Sequence, residues 1–247
     1  MKKLLSAGLC LSMFLLAGCQ GQPQDTTLTI TDQAGREVTF EEPCQTAASG
    51  YYITTTIMIG LQQQGKLTGI EMKPETRPIY AKAAEEILDL PQLGNKKMFN
   101  VEECAKADPD VVFLPVSLES YVEELEALDI PVVLLEPETA DDFEEAVEII
   151  GKVMGCEDKV DEYKQYEEDL LEKYALDEVE EEPTVYFAGS DLLTCATDDM
   201  YQGEILSYAQ ADNAIDAEGN NWVNIDIETL LAANPDYVFI EAGSLSA

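Results

Sequence analysis

The chain has 247 residues, 46% of them apolar, with 50 Asp and Glu against 14 Lys and Arg, no histidine and a formal net charge of −36. That apolar fraction argues against global disorder, and the length suits a large core in one or two domains. So acidic a surface repels nucleic acid and anionic head groups, and the lack of histidine excludes a Ser-His-Asp triad and histidine-ligated zinc or haem.

Met1-Lys2-Lys3 is a short basic start, followed by an uncharged apolar run from Leu4 to Leu16. The run is too short to span a bilayer as a permanent helix and reads as an export signal. It closes as Leu16-Ala17-Gly18-Cys19, which resembles the bacterial lipoprotein signal, with cleavage before Cys19 and lipid on its thiol. Residues 1–18 are thus expected to be a signal peptide and 19–26 a polar tether. The mature protein is expected outside the cytoplasm, lipid-anchored to the bacterial cell membrane on its periplasmic or outer surface. Cys44, Cys104, Cys156 and Cys195 are widely spaced with no C-x-x-C, so a zinc ribbon or redox pair is unsupported. They read as small buried residues, with extracellular disulfides as the alternative.

Thr27 to Phe40 alternates and turns at Asp32-Gln33-Ala34-Gly35, a hairpin signal. Cys44 to Ser49 is a short strand candidate that leads through Gly50-Tyr51-Tyr52 into a helix closed by Gly65. Leu67 to Ile70 reads as a strand, Thr76 to Leu88 as an amphipathic helix, Ser120 to Leu128 as a helix and Ile130 to Leu135 as a strand. Asp141 to about Val153 is helical and Gly155 breaks it. From Glu157 to Val179 runs a charged helical pattern with Val160, Tyr163, Tyr166, Leu170, Leu171 and Tyr174 on one stripe. A helix polar over most of its surface tends to bridge bodies, so it reads as a rigid connection between lobes. Thr184 to Ala188 is a strand and Gln202 to Ala209 a helix. Such alternation argues for parallel, helix-covered sheets. No Lys or Arg follows Lys173.

One stretch occurs twice. Residues 100–114 and 226–240 align without a gap, Glu102 onto Glu228, Pro109 onto Pro235 and Asp110 onto Asp236. Each opens with an Asn or Asp able to cap a helix and a carboxylate in the first turn. Asp108 and Asn234, each before proline, are expected to leave the α region and stop the helix. A β-branched and aromatic run follows, the pattern of a buried parallel strand. Similarity over fifteen positions exceeds what shared secondary structure requires, and it reads as two related lobes, each presenting one acidic helix start.

The lipoprotein signal, Thr31 to Val38, Gly65 to Ile70, Glu102 to Val112, the long central helix and Trp222 to Val238 together carry a resemblance. The chain resembles a substrate-binding lipoprotein of an ABC importer, of the class handling iron–siderophore, haem or cobalamin, over essentially its whole mature length. That resemblance implies an α/β fold of two Rossmann-like lobes with mostly parallel sheets, joined by one long helix, with the ligand cleft between them. The N-terminal lobe would span 27–139, the helical segment 140–179 and the C-terminal lobe 180–247. Family members normally continue past the second Pro-Asp strand by roughly 40–60 residues if the usual domain size holds, so a C-terminal truncation is expected.

The resemblance also implies that Glu102 and Glu228 dock against arginines of a permease, which works with its ATPase. Two exposed carboxylates a fixed distance apart give orientation more than affinity. Candidate ligand residues in the loops after the strands are Ser49, Tyr51, Tyr52, Arg77 and Tyr80 on the first lobe, and Tyr201 and Trp222 on the second. Aromatic faces suit a large planar or macrocyclic ligand, and Arg77 can grip a carboxylate or phosphate bidentately. The second lobe offers no basic residue, so a corrinoid or weakly charged ferric complex fits better than a strongly anionic chelate. No metal-ligand spacing and no cofactor motif are present, and no nucleophile–base pair or phosphate loop supports an enzyme. The expected function is capture of a metal chelate and delivery to the permease. A non-transport surface sensor or a truncated, non-functional copy is the alternative.

Overall fold

The computed structural model describes residues 27–95, 97–175, 181–189, 191–217, 219 and 222–240. The signal peptide, Cys19 and the tether lie outside them, as do Ser190 and the end of the helical pattern after Ala175.

In chain order the chain opens with β1 (Leu28–Thr31) and β2 (Glu37–Phe40), an antiparallel hairpin as the alternation predicts. β3 (Ala47–Ser49) runs into α1 (Tyr52–Gly60), and β4 (Leu67–Gly69) is followed by α2 (Pro78–Ala83). A two-rung hairpin, β5 (Gly94–Asn95) and β6 (Met98–Phe99), precedes α3 (Val101–Ala107) and β7 (Val111–Pro115). Then come α4 (Val122–Glu126), β8 (Val132–Leu135), α5 (Ala140–Met154) and α6 (Glu157–Tyr174). The remainder is β9 (Thr184–Ala188), β10 (Thr194–Cys195), α7 (Tyr201–Tyr208), β11 (Asp212–Asn213), β12 (Val223–Asn224), α8 (Ile227–Ala233) and β13 (Tyr237–Ile240). The helix expected from Thr76 to Leu88 is broken instead. Pro78 starts α2, and Ala84 at φ −157 ends it before a 3-10 turn.

The first sheet is all parallel in the order β4-β3-β7-β8. Every residue of β7 and β8 is buried, which is why these strands read as continuous apolar runs. One face packs Ile57, Met58, Tyr80, Ile150 and Val153 from α1, α2 and α5; the other packs Leu93, Phe99, Cys104, Leu118 and Leu125. Gly50 is required at the β3–α1 turn, because a Cβ there would meet Leu114 Cδ2 at 2.5 Å.

In the second sheet β9 is central. Parallel β11 and β13 flank it, Val185 pairing with both Asn213 and Tyr237, while antiparallel β10 carries β12 onward. Its core is small, built on Tyr186, Ala188, Cys195 and Ile215, and all four residues of β13 are exposed.

Two helices lead from the first lobe to the second. α5 opens on a Thr139–Asp142 capping box and closes at Gly155, φ +61, where a Cβ would meet Pro43 at 2.7 Å. α6 folds back antiparallel to it, Lys164 bonding Glu144 and Glu148. Val160 and Tyr163 of α6 join the first core, whereas Tyr166, Leu171 and Tyr174 point outward. The four cysteines are buried free thiols, and burial lifts Cys44 and Cys104 each to about 12.

Candidate functional site at the carboxyl ends of the sheets

In open α/β sheets, ligands bind beyond the carboxyl ends of the strands. In the first lobe the chain leaving β3 supplies Ser49, Tyr51 and Tyr52, and that leaving β4 supplies Glu71 and, after one turn, Arg77 and Tyr80. The Tyr51 and Tyr52 rings meet edge-on at 5.2 Å, and the Arg77 guanidinium carbon lies 4.0 Å above the Tyr52 ring. Tyr52 is 39% exposed and Tyr51 only 6%. Tyr51 lines a cavity of about 250 Å³ with Lys97, Pro115, Ser117, Glu136 and Glu138. Burial, then the charges around Tyr52, Glu138 and Glu136, push its hydroxyl well above the ordinary tyrosine value, so it stays protonated. A cavity this size is below the 300–1,000 Å³ or so that drug-sized ligands fill, and it amounts to one wall of a site.

Ser49 and Tyr80 sit behind that wall. Both are fully buried. Ser49 Oγ lies 2.8 Å from the Tyr51 carbonyl oxygen and 2.8 Å from Thr55 Oγ1. Tyr80 donates to Glu71 Oε1 at 2.8 Å, which with burial lifts its own hydroxyl strongly. Sequence reasoning passed over Glu71, Thr55 and Lys97. The available signal was a lone carboxylate directly after an apolar strand, a position that burial makes costly unless donors surround it.

In the second lobe Trp222 is 37% exposed and packs on Gly189, the residue after β9; a Cβ at Gly189 would meet its Cζ3 at 2.5 Å. The only tryptophan therefore covers the carboxyl end of that lobe's central strand. Tyr201 lies instead at the junction of the lobes. Its N–H donates to the Glu138 carbonyl at 3.1 Å and its ring lies 5.6 Å from that of Phe143. A larger cavity of about 800 Å³ opens near the amino ends of β9 and β11, lined by Asp141, Asp198, Asp199, Asp212 and Asp216 without an aromatic or basic side chain. Among the described residues no group of three or more His, Cys, Asp or Glu could hold a metal ion.

Glu102 and Glu228 are exposed, each at the second position of its helix, α3 or α8. Asn100 Oδ1 accepts from the Glu103 N–H at 3.1 Å and Asp226 Oδ1 from the Thr229 N–H at 2.7 Å, so both units are capped alike. Asp108 and Asn234 end the helices in the left-handed region, φ 49 and 45. The likeness extends further than the sequence suggests. Asp110 Oδ2 accepts from the Gln45 and Thr46 N–H groups at 2.8 Å, tying the unit to β3. Asp236 Oδ2 accepts from the Thr184 N–H at 2.9 Å and from its hydroxyl, tying the other unit to β9.

Residues 48–246 match the family described as periplasmic binding protein. No curated protein matches the chain. Among solved structures, the molybdate-bound molybdate periplasmic binding protein MolA of Haemophilus influenzae is similar at 22% identity and a TM-score of 0.73, covering 85% of this chain and 73% of that one. The periplasmic haem-binding protein HutB of Vibrio cholerae matches at 15% identity and 0.67, covering 82% and 78%. Helicobacter pylori CeuE, solved with Ni-His, matches at 16% identity and 0.70, covering 86% and 70%. At these identities the likeness is one of fold.

Proposed function

The chain belongs to the periplasmic binding protein family, a class of extracytoplasmic solute-binding components of ABC transporters and not an enzyme class, and from that premise we propose that it captures a metal chelate for import. The observation that supports this most is the convergence of Tyr51, Tyr52 and Arg77 at the carboxyl end of the first sheet. Trp222 adds an aromatic face on the carboxyl end of the second. Rings of this kind suit a large planar or macrocyclic ligand such as a corrinoid, a haem or a weakly charged ferric complex. The lack of any Lys or Arg after Lys173 disfavours a polyanion. Lipid on Cys19 holds the protein at the membrane. Glu102 and Glu228, one on each lobe, form a two-point register for a permease and its ATPase.

Fluorescence of the single tryptophan tests the capture reading. The purified protein is titrated with cyanocobalamin, haemin and a ferric hydroxamate siderophore. At least one should quench Trp222 with a dissociation constant below about 10 μM, the range a dedicated capture protein should reach. Binding of none would overturn the proposal.

A further inference from the structure

Glu71 is 4% exposed, and three donors surround its carboxylate. Oε2 accepts from Thr55 Oγ1 at 2.7 Å; Oε1 accepts from the Tyr80 hydroxyl at 2.8 Å and from Arg77 Nε at 3.2 Å. The donors come from α1, from α2 and from the residue preceding α2, and Ser49 Oγ lies 2.8 Å from Thr55 Oγ1, close enough to donate to it. A buried carboxylate so fully bonded is a fixed point. Arg77 is the exposed member, with 35% of its side chain accessible. Glu71 holds its Nε and the Tyr52 ring lies under one face of its plane. Among the described residues no acceptor takes either Nη group. That pair is the edge of a guanidinium that grips a two-oxygen acceptor. The Glu71–Arg77 pair is also formally neutral, so the fork offers directed hydrogen bonds with little net field.

We propose that Glu71 is a positioning residue for ligand capture. By holding Nε it aims the two Nη groups outward, and by cancelling the guanidinium charge it selects a ligand that presents a single carboxylate or carboxamide rather than a polyanionic shell. This rests on the capture reading for the presence of a ligand, but the fork itself is testable alone.

The probe is sodium acetate, titrated into the full protein against sodium chloride at matched ionic strength. Binding is followed by the guanidinium N–H resonances of Arg77 and, in R77K, by the Tyr52 backbone amide. Glu71→Gln keeps an oxygen acceptor for Nε and removes the charge; Glu71→Ala removes both. The two are equally neutral, so their difference isolates positioning. Acetate should bind E71Q at least as tightly as the parent, and E71A about tenfold more weakly than E71Q, the scale of one hydrogen bond to a charged group. R77K, a charge without a fork, should fall below the parent. A merely structural role would instead weaken E71Q and E71A in step with their melting temperatures. Should E71A fail to fold, Glu71→Asp, which keeps the charge and withdraws the acceptor, replaces it and should bind more weakly than the parent, whose charge it shares. Equal affinity of E71Q and E71A (or, in its place, of E71D and the parent), or of R77K and the parent, overturns the proposal. Loss of chelate quenching at Trp222 with the acetate series intact removes the capture reading and leaves the role of Glu71 standing.

Discussion

The two helix–turn–strand units are built alike and covered differently. α3 and α8 share an Asn or Asp cap, an acidic second position, a left-handed end before proline and an aspartate stapled to the neighbouring strand. Yet Val101 and Cys104 of α3 are buried, and α8 has no buried residue. β7 is buried throughout between two strands, while among the described residues β13 pairs with β9 alone and is exposed throughout. Local chemistry therefore makes the unit, and coverage by other elements makes it a core.

The sharpest way to break this comparison is to truncate equivalent aromatic residues. Phe113→Ala empties a fully buried site and should cost about 3–5 kcal/mol in urea unfolding. Phe239→Ala, at a residue 53% exposed, loses its ring pairing with Phe187 and should cost about 1 kcal/mol. Equal costs would mean that β13 is covered in solution.

The aspartate staples come next. Asp110→Ala should cost about 1–3 kcal/mol by leaving two backbone donors unmet, and Asp236→Ala about 1 kcal/mol, since it leaves one backbone N–H and one hydroxyl of the half-buried Thr184 unmet. Burial raises the Asp110 carboxyl, but the bonds from Thr46 and Gln45 outweigh it and hold the group below its ordinary 3.8. A depressed folded value means that the stabilisation is complete above the unfolded value and is lost as pH falls through the folded one. The gap between parent and Asp110→Ala should thus close as pH drops below about 4, the ordinary aspartate range. A gap that stays constant to pH 2 would contradict the staple.

Smallest in stability is the exposed pair. Glu102→Gln and Glu228→Gln should each change unfolding by about 0.3–1 kcal/mol, the loss of one charge at a helix start. Cellular uptake should fall for both while chelate binding by the purified protein stays unchanged. Loss of uptake from one variant only would show that the lobes dock unequally.

Much of this was legible in the chain itself. Asn100, Asp226, Pro109 and Pro235 act on backbone groups within a few residues, so the helix starts and stops could be placed from sequence. The parallel, helix-covered character of the first sheet followed from the alternation of strands and helices, and the β1–β2 hairpin from its turn residues. The helix expected from Thr76 to Leu88 failed because Pro78 and Ala84 set local backbone geometry that apolar spacing does not register. Of the candidate site, Tyr51, Tyr52 and Arg77 were found and are brought together, and Trp222 lies on the carboxyl end of β9.

By itself the sequence determined most of the longer elements, their succession along the chain and the repeated unit, since each depends on contacts a few residues apart. Tertiary structure alone decided that Ser49 and Tyr80 stand behind the wall, and that Tyr201 belongs to the junction. It also decided that Glu71 governs Arg77 and that β13 is bare where β7 is enclosed. Burial and hydrogen-bond partnership depend on which distant segments arrive at the same place. The donors to Glu71 come from sixteen residues before it and from six and nine after it, drawn together only when the first sheet and its helices close.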